Sequence, residues 1–434
     1  MNKWEELYAK KKIGTAQAVD MIRPGDQVLS GIGNGQPRAL CTALAERIKG
    51  GGLEGISYFN TLNINANAMC APEVASKITY RDAYLSPLPR KLVAAGLGDT
   101  LCSNFSDAPV ILNFYDTILC TVSPMDKHGY FSMGMNPDYT LYQIRNRAGK
   151  RVFVEVNENY PPTFGNNRIH ITDVDFVLEN SWPLAAVPPA EPNEVEMKIA
   201  GHIAEYVDDG ACLQLGIGGL PNAVGKCLER KKDLGIHSEM ICDAFLYLYN
   251  KGALNNSKKN FMPGRGIGTF TFGSKELYEW VDMNPGLEMH GADFVNDART
   301  IAQNDNMVAV NGIVAADITG QCVSEEINGK TYSGLGGQQD FTLGAWLSKG
   351  GKAFLATPST YTDKDGKLHS SILPKCTDTV GISRWMSQYI VTEYGAVNLK
   401  GQTVPQRVKL MISIAHPDFR EELVEYAKKE KFWR

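Results

Sequence analysis

The 434-residue sequence contains no long hydrophobic run and no excess of either charge. No stretch approaches the ~18 apolar residues that favour a transmembrane helix, and the first residues lack the apolar core of a signal peptide. The 44 Lys and Arg residues nearly balance the 48 Asp and Glu residues, which gives a net charge of −4. This balance gives no support for a nucleic-acid partner or a membrane partner. We therefore expect a soluble, cytoplasmic protein.

Several common signatures of metal and nucleotide sites are also missing. The nine cysteines form no C-x-x-C pair, and the seven histidines form no H-x-x-x-H or H-E-x-x-H motif. We therefore expect no metal site, and we interpret most of the cysteines as buried free thiols of a reducing compartment. The absence of a G-x-x-x-x-G-K-[ST] motif disfavours a P-loop. The absence of a G-x-S-x-G elbow argues against Ser238 as a hydrolase nucleophile.

The sequence does contain enough apolar residues, 43% of the total, to build substantial cores. At ~150 residues per domain, its length suggests two or three domains. Four prolines lie between Trp182 and Pro192, and proline both removes a backbone donor and disfavours helix in the residue before it. We interpret residues 182–192 as a linker. The predicted domains are an N-terminal domain over residues 1–185 and a C-terminal domain over residues 193–434.

One pattern occurs twice in the chain: a helix that ends at a glycine, a buried strand and a Gly-Ile-Gly loop. Aligning Gly31 with Gly216 also aligns Gly25 with Gly210, at the same offset. Strand and helix patterns alternate through both halves, which favours open parallel sheets. The sequence therefore predicts an α/β fold of two related domains with open, mostly parallel sheets. In such sheets ligands bind at the carboxyl ends of the strands.

The second half contains two glycine-rich loops next to predicted strands and helices. Glycines at such positions let backbone N–H groups approach a ligand, and a helix start presents partial positive charge. The first loop lacks a complete G-x-G-x-x-G fingerprint, so a dinucleotide site is the weaker interpretation. A tight turn without a ligand is an alternative for either loop. The first loop comprises Gly216, Ile217, Gly218, Gly219 and Leu220, and the second contains Gly334, Gly336 and Gly337.

A glutamate lies where a buried strand is expected. Three polar residues in a row, ending at Glu239, interrupt the apolar flanks of residues 234–241. A carboxylate in that position costs desolvation energy unless it is paired, hydrogen-bonded or needed for function. A salt-bridged or edge glutamate is the alternative interpretation, and His237 is better explained as a structural histidine than as a ligand.

Longer motifs, in a fixed order, carry a family resemblance. Residues 216–224 read Gly-Ile-Gly-Gly-Leu-Pro-Asn-Ala-Val, and residues 234–240 read Leu-Gly-Ile-His-Ser-Glu-Met. Further matches are Ser-Pro-Met-Asp-Lys-His-Gly at 123–129, Tyr-Ser-Gly-Leu-Gly-Gly at 332–337 and Ile-Ala-His-Pro-Asp-Phe at 414–419. Over nearly its whole length the sequence resembles the acetyl-CoA hydrolase/transferase family. Within that family it most resembles the CoA-transferases that use 4-hydroxybutyrate, butyrate and acetate.

The resemblance implies a two-domain CoA-transferase fold and a covalent mechanism. Family members use a glutamate as nucleophile, and the match places that role on Glu239. Covalent catalysis of this kind predicts ping-pong CoA transfer through a glutamyl-CoA thioester. The implied partners are acyl-CoA and short-chain carboxylates, with CoA as a substrate and no permanently bound cofactor. A homodimer or larger homo-oligomer is also expected from the resemblance.

The resemblance also implies roles for other residues. The Asn311 side chain and the backbone at Gly337 would stabilise the tetrahedral oxyanion near Glu239. The implied CoA-binding residues are Gly216, Ile217, Gly218, Gly219, Leu220, Gly334, Gly336 and Lys352. From the residues alone, Asn311 is better explained as a turn residue before Gly312, and Lys352 is equally well explained as a solvated lysine.

Alternatives to CoA transfer stay open from the sequence. An acyl-CoA hydrolase would use the same glutamate, with water in place of the acceptor carboxylate. A nucleotide-binding oxidoreductase is a further alternative, weakened by the incomplete glycine fingerprint. Two features depart from the relatives, Gln338-Gln339 after the second loop and Tyr160 in the first half. The acyl substrate is therefore left open.

Overall fold

The computed structural model describes residues 2–63 and 68–433 and divides into two compact units. The first unit comprises Met1–Val187 with Ile267–Val295, and the second comprises Pro188–Gly266 with Asn296–Arg434. The chain first leaves the first unit between residues 187 and 188, inside the predicted linker. Unlike the predicted N-terminal domain, the first unit also includes the segment 267–295.

The first unit is built on a seven-stranded sheet in which every neighbouring pair of strands is parallel. Its strands, from one edge to the other, are Asp99–Thr100, Thr79–Asp82, Ser57–Phe59, Gln27–Ser30, Thr117–Val122, Arg151–Val156 and Phe176–Glu179. All six residues of Thr117–Val122 are buried, as expected for a central strand of a parallel sheet. The helix Arg38–Lys49 covers this sheet through Leu40, Leu44 and Ile48.

The first unit also contains helices and short strands outside this sheet. Its α-helices are Lys3–Lys11, Thr15–Asp20, Arg38–Lys49, Pro72–Ala75, Pro87–Ala94, Ala108–Ile111, Thr140–Arg145, Lys275–Val281 and Ala292–Val295. Its short 3₁₀ helices are Gly33–Gly35, Ala68–Cys70, Leu112–Phe114 and Ile171–Asp173. The remaining strands are Tyr130–Ser132 and Arg168–His170, which pair antiparallel, and Gly266–Gly268, Phe270–Thr271 and Leu287–Met289.

The second unit is built on a six-stranded sheet that is parallel except at one edge. Its strands, in order, are Gly235–Ile236, Cys212–Gln214, Met307–Gly312, Lys352–Ala356, Tyr389–Thr392 and Gly395–Asn398, the last of which is antiparallel. A four-stranded sheet follows in the order Ile372–Leu373, Ala315–Asp317, Cys322–Val323 and Val380–Ile382. Shorter strands are Met240–Ile241, Glu326–Ile327, Lys330–Thr331, Thr360–Thr362 and Leu368–Ser370.

Some helices of the second unit begin at a residue whose side chain caps the helix. The α-helices are Glu194–Ala204, Gly219–Cys227, Asp243–Asn250, Ala298–Ile301, Gln338–Leu347, Val404–Ser413 and Pro417–Lys429. Asn193 accepts a hydrogen bond from Glu196 N–H and the Glu196 side chain accepts one from Asn193 N–H, which forms a capping box. Pro417 opens the closing helix, whose Leu423 and Ala427 are buried.

The glycine that ends the helix and the strand after it have the same local structure in both copies of the repeated pattern. Gly25 and Gly210 both have a positive φ, at +91° and +77°, in the turn before the strand. The strand that follows lies inside its sheet, between two parallel neighbours, in each unit. The predicted α/β fold with mostly parallel sheets is therefore confirmed. In the described part of the chain, no helix has both the length and the apolar character needed to cross a membrane.

Candidate active site

Glu239 lies just beyond an edge strand of the second unit's sheet. The N–H of His237 donates to the carbonyl of Leu213 at 3.1 Å, which continues the parallel pairing of the two edge strands. Ser238 Oγ donates to the carbonyl of Leu215 at 3.2 Å, and both His237 and Ser238 are fully buried. The partly buried side chain of Glu239 therefore lies at the carboxyl ends of the parallel strands.

Two neutral donors hold the carboxyl group of Glu239. Asn296 Nδ2 donates to Glu239 Oε2 at 2.6 Å, and the backbone N–H of Gly337 donates to the same carboxyl group. A Cβ atom at position 337 would overlap both Glu239 Oε2 and Asn296 Nδ2. Only glycine allows this close approach, so the second glycine loop is fitted to the carboxyl group.

The surroundings of Glu239 make its carboxyl group more basic than a solvated one. Burial is the main cause that raises its pKa, to about 7, and the negative charge of Asp340 raises it further. The hydrogen bonds from Asn296 and Gly337 act in the opposite direction and lower the pKa. The ionised group is present at neutral pH, and its basicity favours nucleophilic attack.

Asn311 is not among the described hydrogen-bond partners of Glu239. It lies near the end of the strand Met307–Gly312, where its side chain exchanges hydrogen bonds with Gln214 at 3.3 and 3.5 Å. The amide that donates to Glu239 belongs to Asn296 instead. Sequence reasoning missed Asn296 because it precedes Asp297, the N-cap of the short helix Ala298–Ile301, and so resembles an ordinary polar residue at a helix start.

The first glycine loop follows the strand Cys212–Gln214 and leads directly into a helix. A Cβ atom at Gly216 or Gly218 would meet no atom within 4 Å, and Gly218 has a φ of +119°. Ile217 between them is 52% exposed. Gly219 and Leu220 begin the helix Gly219–Cys227, and a Cβ at Gly219 would overlap the Glu196 carboxylate. The loop therefore has room for an added Cβ at Gly216 and Gly218, but not at Gly219.

The second glycine loop is anchored on both sides. Gly334 is buried, Gly336 has a φ of +54°, and Gly337 is the N-cap residue of the helix Gln338–Leu347. Gln338 Nε2 donates to the carbonyl of Gly312 at 2.8 Å, which ties this helix start to the end of a central strand. The loop and Glu239 therefore both lie at the carboxyl ends of the strands in the second unit's sheet.

Lys352 lies apart from the other predicted site residues. It is the first residue of the strand Lys352–Ala356, whereas the glycine loops follow the carboxyl ends of the parallel strands. Its Nζ forms an ion pair with Asp208 Oδ2 at 3.0 Å. This ion pair accounts for the charge of Lys352 without a ligand.

Buried thiols of the second unit are poor competitors for a nucleophilic role. All nine cysteines are free, and most are buried as predicted. Burial raises the pKa of Cys212 to about 11 and that of Cys242 to about 12, so both are neutral thiols near pH 7. Across residues 2–63 and 68–433, no three His, Cys, Asp or Glu side chains are grouped as metal ligands.

Comparison with known proteins identifies the family. The N-terminal domain of acetyl-CoA hydrolase/transferase matches residues 1–188, and the C-terminal domain of acetyl-CoA hydrolase/transferase matches residues 273–427. The chain belongs to the acetyl-CoA hydrolase/transferase family, as the sequence motifs predicted. Gly337 and Asn296 lie inside the C-terminal match, and Glu239 lies between the two matched ranges.

Similar proteins are known over almost the full length. Succinyl-CoA:cyclohexane-1-carboxylate CoA transferase of Geobacter metallireducens is 40% identical, over 98% of this chain and 97% of that protein. 4-hydroxybutyrate coenzyme A transferase of Clostridium kluyveri is 38% identical, over 98% and 99%. The crystal structure of RipA from Yersinia pestis is 37% identical, covers 99% of this chain and 100% of its own, and has a TM-score of 0.93. The predicted class of enzyme, a CoA-transferase, is thereby confirmed.

Proposed function

We propose that this chain exchanges CoA between a short-chain acyl-CoA and a free carboxylate, with Glu239 as the covalent nucleophile. The observation that carries the proposal is the carboxyl group of Glu239, held by Asn296 Nδ2 and by the N–H of Gly337 at the edge of a parallel sheet. Full-length similarity to CoA-transferases supports the reaction class.

The first half-reaction has two acyl-transfer steps. Ionised Glu239 attacks the thioester carbonyl, the carbon–sulfur bond breaks, and CoA leaves as a thiolate while a mixed anhydride forms. The thiolate then attacks the carbonyl carbon of Glu239, the anhydride bond breaks, and the acyl group leaves as its carboxylate. Glu239 is left as a glutamyl-CoA thioester.

The second half-reaction reverses these steps with a different acid. An acceptor carboxylate attacks the Glu239 carbonyl, CoA leaves as a thiolate, and a new mixed anhydride forms. The thiolate attacks the acyl carbonyl of that anhydride, which releases the new acyl-CoA and restores ionised Glu239. Every bond formed is balanced by one broken, so the cycle needs no oxidant, metal or bound cofactor.

Asn296 and Gly337 have a specific place in this cycle. Two of the steps form a tetrahedral oxyanion on the carbonyl oxygen of Glu239 itself. The two donors that contact the carboxyl group of Glu239 are already placed to stabilise that charge. This assigns to Asn296 the amide-donor role that the family resemblance implied for Asn311.

CoA binding is assigned to the two glycine loops. Gly216 and Gly218 leave open space above the backbone, and Gly336 shapes the loop that ends at Gly337. The substrates named in the relatives suggest acetate, butyrate, 4-hydroxybutyrate and cyclohexane-1-carboxylate as candidate acids. A homo-oligomer stays a prediction from the resemblance, and a cytoplasmic location stays a prediction from the sequence composition.

Steady-state exchange between each candidate acid and acyl-CoA tests the proposal. We expect CoA exchange that depends on the acceptor acid, parallel lines in double-reciprocal plots, and no exchange by E239A. We also expect E239D to be severely impaired, because the shorter side chain withdraws the nucleophile. A matched control is E229A, since Glu229 is a partly buried glutamate of the same unit that accepts from Tyr247 Oη.

Two results would contradict the proposal. Thioester cleavage at the same rate without any acceptor acid would indicate the hydrolase alternative. Full exchange activity in E239A would remove the nucleophile assignment. The family assignment gives the nucleotide-binding oxidoreductase alternative no support.

A further inference from the structure

Asp340 is a buried carboxylate beside the proposed nucleophile. It is the third residue of the helix Gln338–Leu347, and only 5% of its surface is exposed. Asn296 Nδ2 donates to Asp340 Oδ2 at 3.4 Å, and the same nitrogen donates to Glu239 Oε2 at 2.6 Å. The amide nitrogen of Asn296 therefore lies between two carboxyl groups.

This arrangement fixes which end of the Asn296 amide points at Glu239. Asn296 is fully buried, and its Oδ1 has no described hydrogen-bond partner. A rotation of the amide by half a turn would place Oδ1 against both carboxyl groups, where like partial charges repel. Since none of the residues that the structure describes donates a hydrogen bond to Oδ1, the two carboxyl groups determine the orientation of the amide.

Glu239 loses its negative charge during the proposed cycle, whereas Asp340 does not react. In the proposed cycle Glu239 becomes an anhydride and then a thioester, and in both forms it is neutral. Asp340 takes no part in those bonds and stays available to hold Asn296 Nδ2. The Asn296 N–H is needed most when the neutral Glu239 carbonyl is attacked, because the oxyanion forms there.

We propose that Asp340 is a positioning residue that keeps the Asn296 N–H directed at the carbonyl oxygen of residue 239 throughout the cycle. The inference rests on the proposed function, because it assigns Asp340 a task in the steps at Glu239. One helix start then supplies two parts of the site: the Gly337 N–H, which acts on Glu239 directly, and Asp340, which acts through Asn296.

The charges around Glu239 give the inference a readout in pH. Asp340 is the charged side chain that raises the pKa of Glu239, and Asn296 and Gly337 contribute neutral donors. His237, two residues earlier in the chain, packs beside the rings of Phe261 and Phe341. Removal of the Asp340 charge therefore lowers the pKa of Glu239, and the acid limb of kcat/KM moves to lower pH.

The test compares D340N with D297N in the full chain. Asp297 is next to Asn296 in the chain but caps a different helix, where Asn is as good a cap as Asp. We expect D340N to lower kcat at least about tenfold, with little change in KM for acyl-CoA and with the acid limb at lower pH. We expect D297N to keep the wild-type kcat and pH profile.

A double-mutant cycle tests whether Asp340 acts through Asn296. In an N296A background, D340N should lower kcat by less than about twofold, because the amide that Asp340 positions is gone. Independent, multiplicative losses would overturn the inference, as would an unmoved acid limb in D340N.

If D340N does not fold, D340E replaces it. It keeps the charge but displaces the carboxyl group, so a reduced kcat with an unmoved acid limb is expected, and a wild-type kcat would contradict the inference.

Failure of this inference can be told apart from failure of the proposed function. Chemical trapping of CoA on Glu239 in the wild-type protein tests the function without any variant of Asp340. If CoA is trapped on Glu239 and D340N behaves as wild type, the inference about Asp340 falls and the proposed function stands. If no CoA is trapped on Glu239, the proposed function falls and the inference falls with it.

Discussion

The carboxyl group of Glu239 is held by neutral amide donors and faces a negative charge. An Arg or Lys partner would lower the pKa of the group and weaken it as a nucleophile. Asn296 and Gly337 orient the carboxyl group without neutralising it, and burial together with Asp340 raises its pKa to about 7. The hydrogen-bond donors orient the carboxyl group, whereas burial and Asp340 make it more basic. The same carboxyl group can therefore be both well oriented and strongly basic.

Gly337 should be the most sensitive glycine of the site. In G337A the new Cβ would overlap Glu239 Oε2 and Asn296 Nδ2. The backbone itself can accept alanine, since φ is −89° and ψ is 11°. We therefore expect a loss of kcat of about 10² or more from displacement of the reacting groups, with a folded protein by circular dichroism. Exchange kinetics of the purified variant measure this.

A suitable control is G201A. Gly201 lies in the helix Glu194–Ala204 with open space around it, so alanine should leave kcat unchanged and stabilise the helix by up to about 1 kcal/mol. Wild-type activity in G337A would contradict the described contact between position 337 and Glu239.

The two asparagines can be separated by a pair of substitutions. N296A removes the donor to Glu239 Oε2 and should lower kcat about 10²–10³-fold, as the loss of one oxyanion donor does in other enzymes. N311A removes the partner of Gln214 and should have a much smaller effect on kcat. Single-turnover rates of acyl-CoA consumption compare the two variants, and equal losses would restore the original assignment of Asn311.

At the scale of elements, the loop after the repeated strand differs between the two copies. In the first unit the residues Gly33, Asn34 and Gly35 are buried, and a Cβ at Gly35 would lie 2.9 Å from Asn136 Cβ. The backbone of Ile32 donates to the buried carboxyl group of Asp138. The chain's own side chains therefore fill the first copy of the loop, whereas the second copy leaves open space at Gly216 and Gly218.

This difference yields a prediction for the open loop. Gly216 has open space and no positive φ, so G216A should keep the wild-type melting temperature. If CoA passes over the loop backbone, the added methyl group should raise KM for acyl-CoA with little change in kcat. G218A should lose stability as well, because φ is +119° there. An unchanged KM in G216A would remove Gly216 from the CoA site.

Elements with strong local signals were predictable from the sequence. The apolar runs at 117–122 and 389–392 are typical of buried strands, and the structure has strands with these bounds. Phe419, Leu423 and Ala427 follow one another at the spacing of a helix face, and they lie in the helix Pro417–Lys429. Such elements can be predicted because the spacing of apolar residues and the capping residues are local properties of the chain.

At the scale of the whole molecule, the contacts that join distant segments were not predictable. The segment 267–295 belongs to the first unit, where Met289 N–H donates to the carbonyl of Phe164 and Thr271 N–H to that of Met135. The same limit applies to the site, since Asn296 and Asp340 reach Glu239 only through the fold. Neither residue has a local pattern that separates it from a helix cap.

The family assignment extends over nearly the entire chain, and it explains why the sequence motifs were informative. The two CoA-transferases and the RipA structure named above each match this chain over almost its full length. What the family leaves open is the acid that accepts CoA. The acceptor acid is therefore to be identified by measuring the CoA exchange rate of the intact enzyme with each candidate acid.

The most direct test of the central claim is chemical trapping at Glu239. The protein is incubated with acyl-CoA alone, treated with borohydride to reduce a glutamyl thioester to an alcohol, digested and examined by mass spectrometry. The account predicts the reduced residue at position 239, dependent on acyl-CoA and absent in E239Q. An unmodified Glu239 peptide from catalytically active protein, or acyl-CoA-dependent modification confined to a cysteine such as Cys242, would contradict it.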